Sequence, residues 1–126
     1  MTSLESVDII EQELNKLIGF KDHNPNEITK ETVNIARHIL YKSLDFKDWL
    51  KYNDCYPYGD GSIKLEYQLS EGNFIDINVH PNNTFDIEHE IVDGFVHATI
   101  FEKYNVTIEE VIDYLNNIQK YYERGI

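Results

Sequence analysis

The chain has 126 residues, of which 41% are hydrophobic and 27% charged, with a formal net charge of −12; it can build one core and one domain, 1–126, but not two. Such an excess of carboxylates repels phosphates, which argues against non-specific binding to nucleic acid or anionic membrane; it either serves docking on a basic protein surface or only keeps the protein soluble. No apolar run approaches the ~18 residues that a membrane span needs, Met1 to Glu5 carry no secretion signal, and the lone Cys55 forms no intrachain disulfide, so a reducing cytoplasm is expected.

Residues 1–53 read as a helical part. From Ser3 to Ile18, Leu4, Val7, Ile10, Leu14, Leu17 and Ile18 recur at helical spacing, Gly19 stands at a C-cap position, and Thr2 with Glu5 has the form of a capping box. A polar connection containing His23 and Pro25 follows. Thr29 is then an N-cap, Ile28 and Val33 occupy the two positions of a hydrophobic staple, and Val33, Ala36, Ile39, Leu40 and Leu44 form the apolar stripe of a helix over about residues 30–44. Phe46 to Tyr52 reads as a short helix or an irregular segment, with Trp49 as a core or boundary anchor. Asn53 to Gly61, punctuated by Pro57, Gly59 and Gly61, reads as a turn-rich link.

The segment 59–102 alternates as an antiparallel meander of four strands. Ile63, Leu65, Tyr67 and Leu69 oppose Lys64, Glu66 and Gln68; after a turn at Ser70–Asn73, Ile75, Ile77 and Val79 oppose Asp76, Asn78 and His80. After His80–Asn83, Phe85, Ile87 and Ile91 oppose Asp86, Glu88 and Glu90, with His89 on the apolar parity. Asp93-Gly94 is a hairpin signal, and Phe95 to Phe101 is a fourth strand with two mixed faces. Thr107 and Glu110 then form a capping box with a Val106–Val111 staple, opening a helix over 107–124 that Gly125 closes. The expected fold is α+β and two-layered: a four-stranded antiparallel meander, one face covered by N-terminal helices and a C-terminal helix, the other open to solvent.

The charge pattern carries the functional reading. Between Lys64 and Lys103 there is no lysine or arginine, while Glu66, Glu71, Asp76, Asp86, Glu88, Glu90, Asp93 and Glu102 all fall there. Strand parity puts Glu66, Asp76, Asp86, Glu88 and Glu90 on one surface. Paired carboxylates for general acid–base chemistry need a concave, water-poor pocket to split their pKa values, and a flat sheet face offers none. The histidines have no His-x-x-x-His spacing and no cysteine pair accompanies them, so neither metal nor cofactor is expected. Cys55 lies beside Asp54, which raises rather than lowers a thiol pKa. The Gly59-x-Gly61 pair precedes a strand, so it serves a tight turn and not a phosphate loop. Trp49, Tyr52, Tyr56, Tyr58 and Tyr67 either close the junction of helix and sheet or form a contact patch.

The run Pro57-Tyr-Gly59-Asp-Gly61-Ser-Ile63-Lys-Leu65-Glu66-Tyr67 resembles a widespread group of small bacterial and phage proteins with a Pro-x-x-Asp-Gly-Gly-Ile/Val-x-Leu/Phe-Glu-Trp strand. Phe74 to Val79 matches the group's second strand, and Ile28-Thr29-Lys30-Glu31-Thr32 echoes the start of its helix, whereas Tyr67 replaces the Trp and Phe20-Lys21-Asp22 lacks a Trp-Asp-Gly turn. The resemblance covers about residues 14–80 and implies a fold but transfers no site residue. Richness in Asn, Ile, Lys and Tyr fits an AT-rich coding genome, as in low-GC bacteria and their phages.

The first expectation is a non-enzymatic inhibitor, immunity, antitoxin-like or phage anti-defence factor. It would bind a basic protein surface through Glu66, Glu71, Asp76, Asp86, Glu88 and Glu90, with aromatic contacts from Tyr56 and Tyr58 and mimicry of nucleic-acid phosphates as a special case. The alternative is a small hydrolase or ligand-binding domain using Glu66, Asp76, His80 and Glu88, which requires a concave pocket. A third is a homo-oligomer paired through the mixed fourth strand.

Overall fold

In a computed structural model, which describes residues 4–21, 26–46 and 51–125, the two helix starts legible in the sequence are built by their caps. Thr29 Oγ1 accepts the Thr32 N–H at 3.2 Å, opening α2 (Lys30–Phe46), and Ile28 and Val33 are both buried. At the other end Thr107 N–H donates to Glu110 Oε2 and Glu110 N–H to Thr107 Oγ1, at 3.0 and 3.2 Å; this reciprocal box starts α3 (Ile108–Gly125). The first helix, α1 (Leu4–Leu17), ends at Gly19 with φ +82°. The expected Thr2 cap, His23 and Trp49 lie outside the described residues.

The sheet has five strands where the alternation predicts four: β1 (Lys51–Gly59), β2 (Ser62–Ser70), β3 (Asn73–Val79), β4 (Phe85–Asp93) and β5 (Val96–Val106). They follow one another as an antiparallel meander in the order β1-β2-β3-β4-β5. The supposed link Asn53–Gly61 is largely β1, so the helical part stops short of residue 53 and the sheet spans more than 59–102. Pro57 is tolerated because β1 is an edge strand, and register shifts at Tyr52/Asp54 and Pro57/Gly59 break its periodicity. Asp60 and Gly61, with φ of +52° and +79°, form the two-residue loop between Gly59 and Ser62, the backbone of a type I′ hairpin. Gly72 is obligatory for another reason: a Cβ there would stand 2.2 Å from the Val92 carbonyl oxygen.

The fourth predicted strand is longer than expected and runs to Val106 as β5. Its mixed faces have a cause: register shifts between Phe85/Ile87 and His89/Glu90 reset which parity faces inward. The loop joining it to β4 is Gly94-Phe95, between Asp93 and Val96.

The helices cover one face of β1 to β4, while β5 is exposed along its length except at Phe101 and Val106. α2 packs on β1, β2 and β3 and touches both α1 and α3, while α1 lies on β1 and α3 on β4. Between the layers Leu65, Tyr67, Ile75, Ile77 and Ile87 are buried with Ile39, Leu40, Val111 and Ile118. Each buried aliphatic side chain of this kind stabilises the fold by about 1.5–3 kcal/mol. The polar groups in this core are paired. Tyr67 Oη and Ser43 Oγ share a hydrogen bond of 2.8 Å. His89 has Tyr114 Oη 2.7 Å from Nδ1 and Asn73 Oδ1 2.5 Å from Nε2. The asparagine oxygen can only accept, so Nε2 carries the ring proton, and burial depresses the His89 pKa to about 4. Cys55 is buried in β1 rather than in a loop, and burial first, then Glu13 and Asp54, push its thiol up to about 11. The described helices include none long and apolar enough to cross a membrane.

Candidate functional site

Strand pairing assembles the acidic surface. On the face away from the helices, Glu66 pairs with Asp76, Asp76 with Glu88 and Glu88 with Glu102; at the sheet edge the backbone of Asp54 stands opposite Glu66, while its carboxyl meets the Glu13 side chain of α1. One row perpendicular to the strands therefore holds a carboxylate from each of β2, β3, β4 and β5. Strands lie ~4.8 Å apart, so the row is about 14 Å long. Like charges directly opposite one another destabilise a sheet; the row is a cost to folding.

A second row runs beside it: Tyr56, Lys64, Asn78 and Asp86. Lys64 is the cation nearest the middle of the carboxylate row. Its Nζ stands 3.9 Å from Asp76 Oδ2 and 4.0 Å from Glu88 Oε1, and 4.2 Å from the centroid of the Tyr58 ring. Asn78, only 1% exposed, donates from Nδ2 to Glu88 Oε1 at 2.9 Å. Two buried acceptors, Asp76 Oδ1 and Asn78 Oδ1, have no hydrogen-bond partner among the described residues. Burial raises the Asp76 pKa to about 6; Lys64 opposes the rise, and Glu66, Glu88 and Glu90 add to it.

The surface continues outward on both sides. Asn53 donates to Glu66, and Tyr56 is pushed up to about 12 by burial and then by Asp76, Glu66 and Asp54. On β5, Tyr104 donates to Glu102 at 3.0 Å. His97 Nδ1 lies 4.0 Å from Glu90 Oε2. Of the residues the sequence singles out, Glu66, Asp76, Asp86, Glu88, Glu90, Tyr56 and Tyr58 come together on this face. Glu71 does not: it lies in the β2–β3 turn, outside both rows. Asn78 and Lys64 were missed as site members because the charge count looks only for acids.

At the end of the second row lies an arrangement that the spacing of residues does not reveal. Ser62 Oγ is 2.8 Å from His80 Nδ1, and His80 Nε2 is 2.7 Å from Asp86 Oδ2. Asp86 Oδ1 also accepts the Asn105 N–H at 3.1 Å. A carboxylate that accepts at Nε2 leaves Nδ1 to take the Ser62 proton, which is the logic of an activated serine. Access decides against that use. Ser62 is 4% exposed, and the adjoining cavity, lined by Phe20, Asn26, Ile28, Pro57, Gly61 and others, measures about 10 Å³, room for one water where ligand sites need roughly 300–1,000 Å³. The three side chains clamp the ends of β2, β3 and β4 together. Among the described residues, no group of three or more His, Cys, Asp or Glu side chains is placed to hold a metal ion.

Comparison with protein-family models, with curated proteins and with solved structures finds no match to this chain.

Proposed function

We propose that this chain is a small acidic interaction protein of the inhibitor, immunity, antitoxin-like or phage anti-defence kind, which docks its uncovered sheet face onto a basic surface of a partner protein. One observation carries the reading: the row Glu66–Asp76–Glu88–Glu102, one carboxylate from each of β2 to β5. Folding gains nothing from four acids lined up across a sheet, whereas a cationic partner gains steering and register from them. Tyrosines at both ends, Tyr56 and Tyr58 on β1 and Tyr104 on β5, add the amphipathic contact area that interfaces favour.

Two further points favour a foreign partner over a second copy. Two faces of this charge repel each other, and both edge strands carry register shifts that discourage edge-to-edge pairing. In the special case of phosphate mimicry the partner is a nucleic-acid-binding protein, and DNA competes with this chain for it. A hydrolase using Glu66, Asp76, His80 and Glu88 gains no support from a row of acids on an uncovered face.

The test is capture from host lysate with the wild-type chain and with a Glu66→Lys, Glu88→Lys, Glu102→Lys variant of verified fold. A basic protein held by the first and lost by the second supports the reading. The same protein retained by both refutes it.

A further inference from the structure

The middle of the acidic row is incomplete as it stands. Asn78 is 1% exposed and lies between Lys64 and Asp86 on the uncovered face, yet among the described residues its Oδ1 receives no donor, and neither does Asp76 Oδ1. A buried acceptor left without a donor is costly to the fold, so two of them on one strand face point to a donor from outside. Lys64 is near enough to neutralise charge but not to hydrogen-bond: its Nζ remains 3.9 and 4.0 Å from the Asp76 and Glu88 oxygens, beyond the ~3.2 Å limit for N–H···O.

The chemistry of the missing donor follows from the acceptors. They include a carboxylate, a side-chain amide oxygen and the flanking Glu66 and Glu88, all on one sheet face beside the Tyr56 and Tyr58 side chains. A point-like ammonium is already present and leaves the acceptors unmatched. A metal ion would need a ligand cluster, and none is found among the described residues. A guanidinium presents five N–H donors in a planar fork, pairs with carboxylates in bidentate fashion and stacks on aromatic rings.

We propose that Lys64, Asp76, Asn78 and Glu88 form a receptor for one arginine guanidinium of the docking partner, with Lys64 as a resident cation that the arginine displaces. The inference rests on the docking reading above and adds to it the partner's anchoring residue. Lys64 swings outward along the Tyr58 ring that it already contacts, and the guanidinium donates to Asp76 Oδ1 and Asn78 Oδ1 in its place.

The probe is ethylguanidinium, the head of an arginine side chain, with ethylammonium as comparator, followed by NMR through the Asn78 side-chain amide and the aspartate and glutamate carboxyl carbons. Saturable shifts centred on Asn78 and Asp76, weaker for ethylammonium, are expected. Lys64→Met should bind ethylguanidinium about five- to tenfold more tightly, since it removes a like charge ~4 Å away in a water-like dielectric; Asn78→Leu should lose saturable binding. If Asn78→Leu fails to fold, the gain from Lys64→Met still decides. Non-saturating shifts spread along the whole row, or unchanged affinity in Lys64→Met, overturn the receptor. Either result leaves the docking reading standing if the triple charge reversal still releases the partner; a partner retained by that variant removes the docking reading even where ethylguanidinium binds.

Discussion

Asp76 stands directly opposite Glu88 on β4 and Glu66 on β2, a carboxylate between two carboxylates, and it titrates at about 6 instead of near 3.8. Burial is the main cause, and Lys64 only partly relieves it. The folded protein holds this proton more tightly than the unfolded chain does. Asp76 therefore contributes stability that is fully present below about pH 3.8 and is lost as the pH rises through about 6. The difference is on the order of 3 kcal/mol. Asp76→Asn should raise stability at pH 7.5 by about 1–3 kcal/mol, and the gain should shrink towards pH 4. Urea melts of both proteins at the two pH values check this; a gain that is absent, or the same at both, contradicts it.

His89 works in the opposite direction from the other face of the sheet. Its pKa falls from 6.5 to about 4 on burial, so the unfolded chain binds the proton better. Its contribution is complete above about pH 6.5 and is lost as the pH falls through about 4. The wild-type protein should thus lose roughly 3 kcal/mol over that interval relative to a His89→Gln variant. The variant itself should be less stable at pH 7 by about 1–2 kcal/mol, through poorer pairing of Tyr114 and Asn73. Equal pH slopes in the two proteins would show that His89 is not the acid-sensitive group.

The Ser62–His80–Asp86 chain should behave as a clamp. His80→Ala is expected to cost about 1–3 kcal/mol by leaving Ser62 and Asp86 short of a partner. A fluorophosphonate probe should leave folded Ser62 unmodified even at long incubation. Labelling that disappears in Ser62→Ala would mean that the serine is reachable and activated after all.

The capping box offers a local check on the fold. Thr107→Ala removes the acceptor of the Glu110 N–H and should lower stability by about 1 kcal/mol. An unchanged melting temperature would mean that staple contacts between Val106 and Val111 set the helix start without it.

The parts of this fold that could be read from the sequence were those where one local signal agrees with burial. Thr29 and Thr107 announced their helices through side-chain chemistry confined to one turn. The inward set Leu65, Tyr67, Ile75, Ile77 and Ile87 followed from period-two alternation, and so did the outward set from Glu66 to Glu90. β1 was hidden because Pro57 and Gly59 are turn residues by composition, and only the pairing with β2 makes the segment a strand. The Asp60-Gly61 dipeptide was the available clue: it is the same kind of hairpin signal as Asp93-Gly94. β5 was misjudged in length because its bulges scramble parity. Within the site, parity indicated which residues share a face but not which stand opposite one another. Register decides that, and register turned a list of acids into a single row with Glu66 and Glu102 at its ends. The two orphaned acceptors could not be inferred from sequence at all, since Asn78 looks like any polar strand residue until Lys64 and Glu88 are placed around it.

The central claim is that the carboxylate row is what a basic partner reads. Its most direct test is the affinity of the captured partner, purified, for the wild-type chain and for the Glu66→Lys, Glu88→Lys, Glu102→Lys variant, measured by calorimetry at low and physiological salt. The account predicts at least a roughly 100-fold loss in the variant, within the range for breaking charge pairs at an interface, and a wild-type affinity that falls steeply with salt. Equal affinities for the two proteins, insensitive to salt, would contradict it.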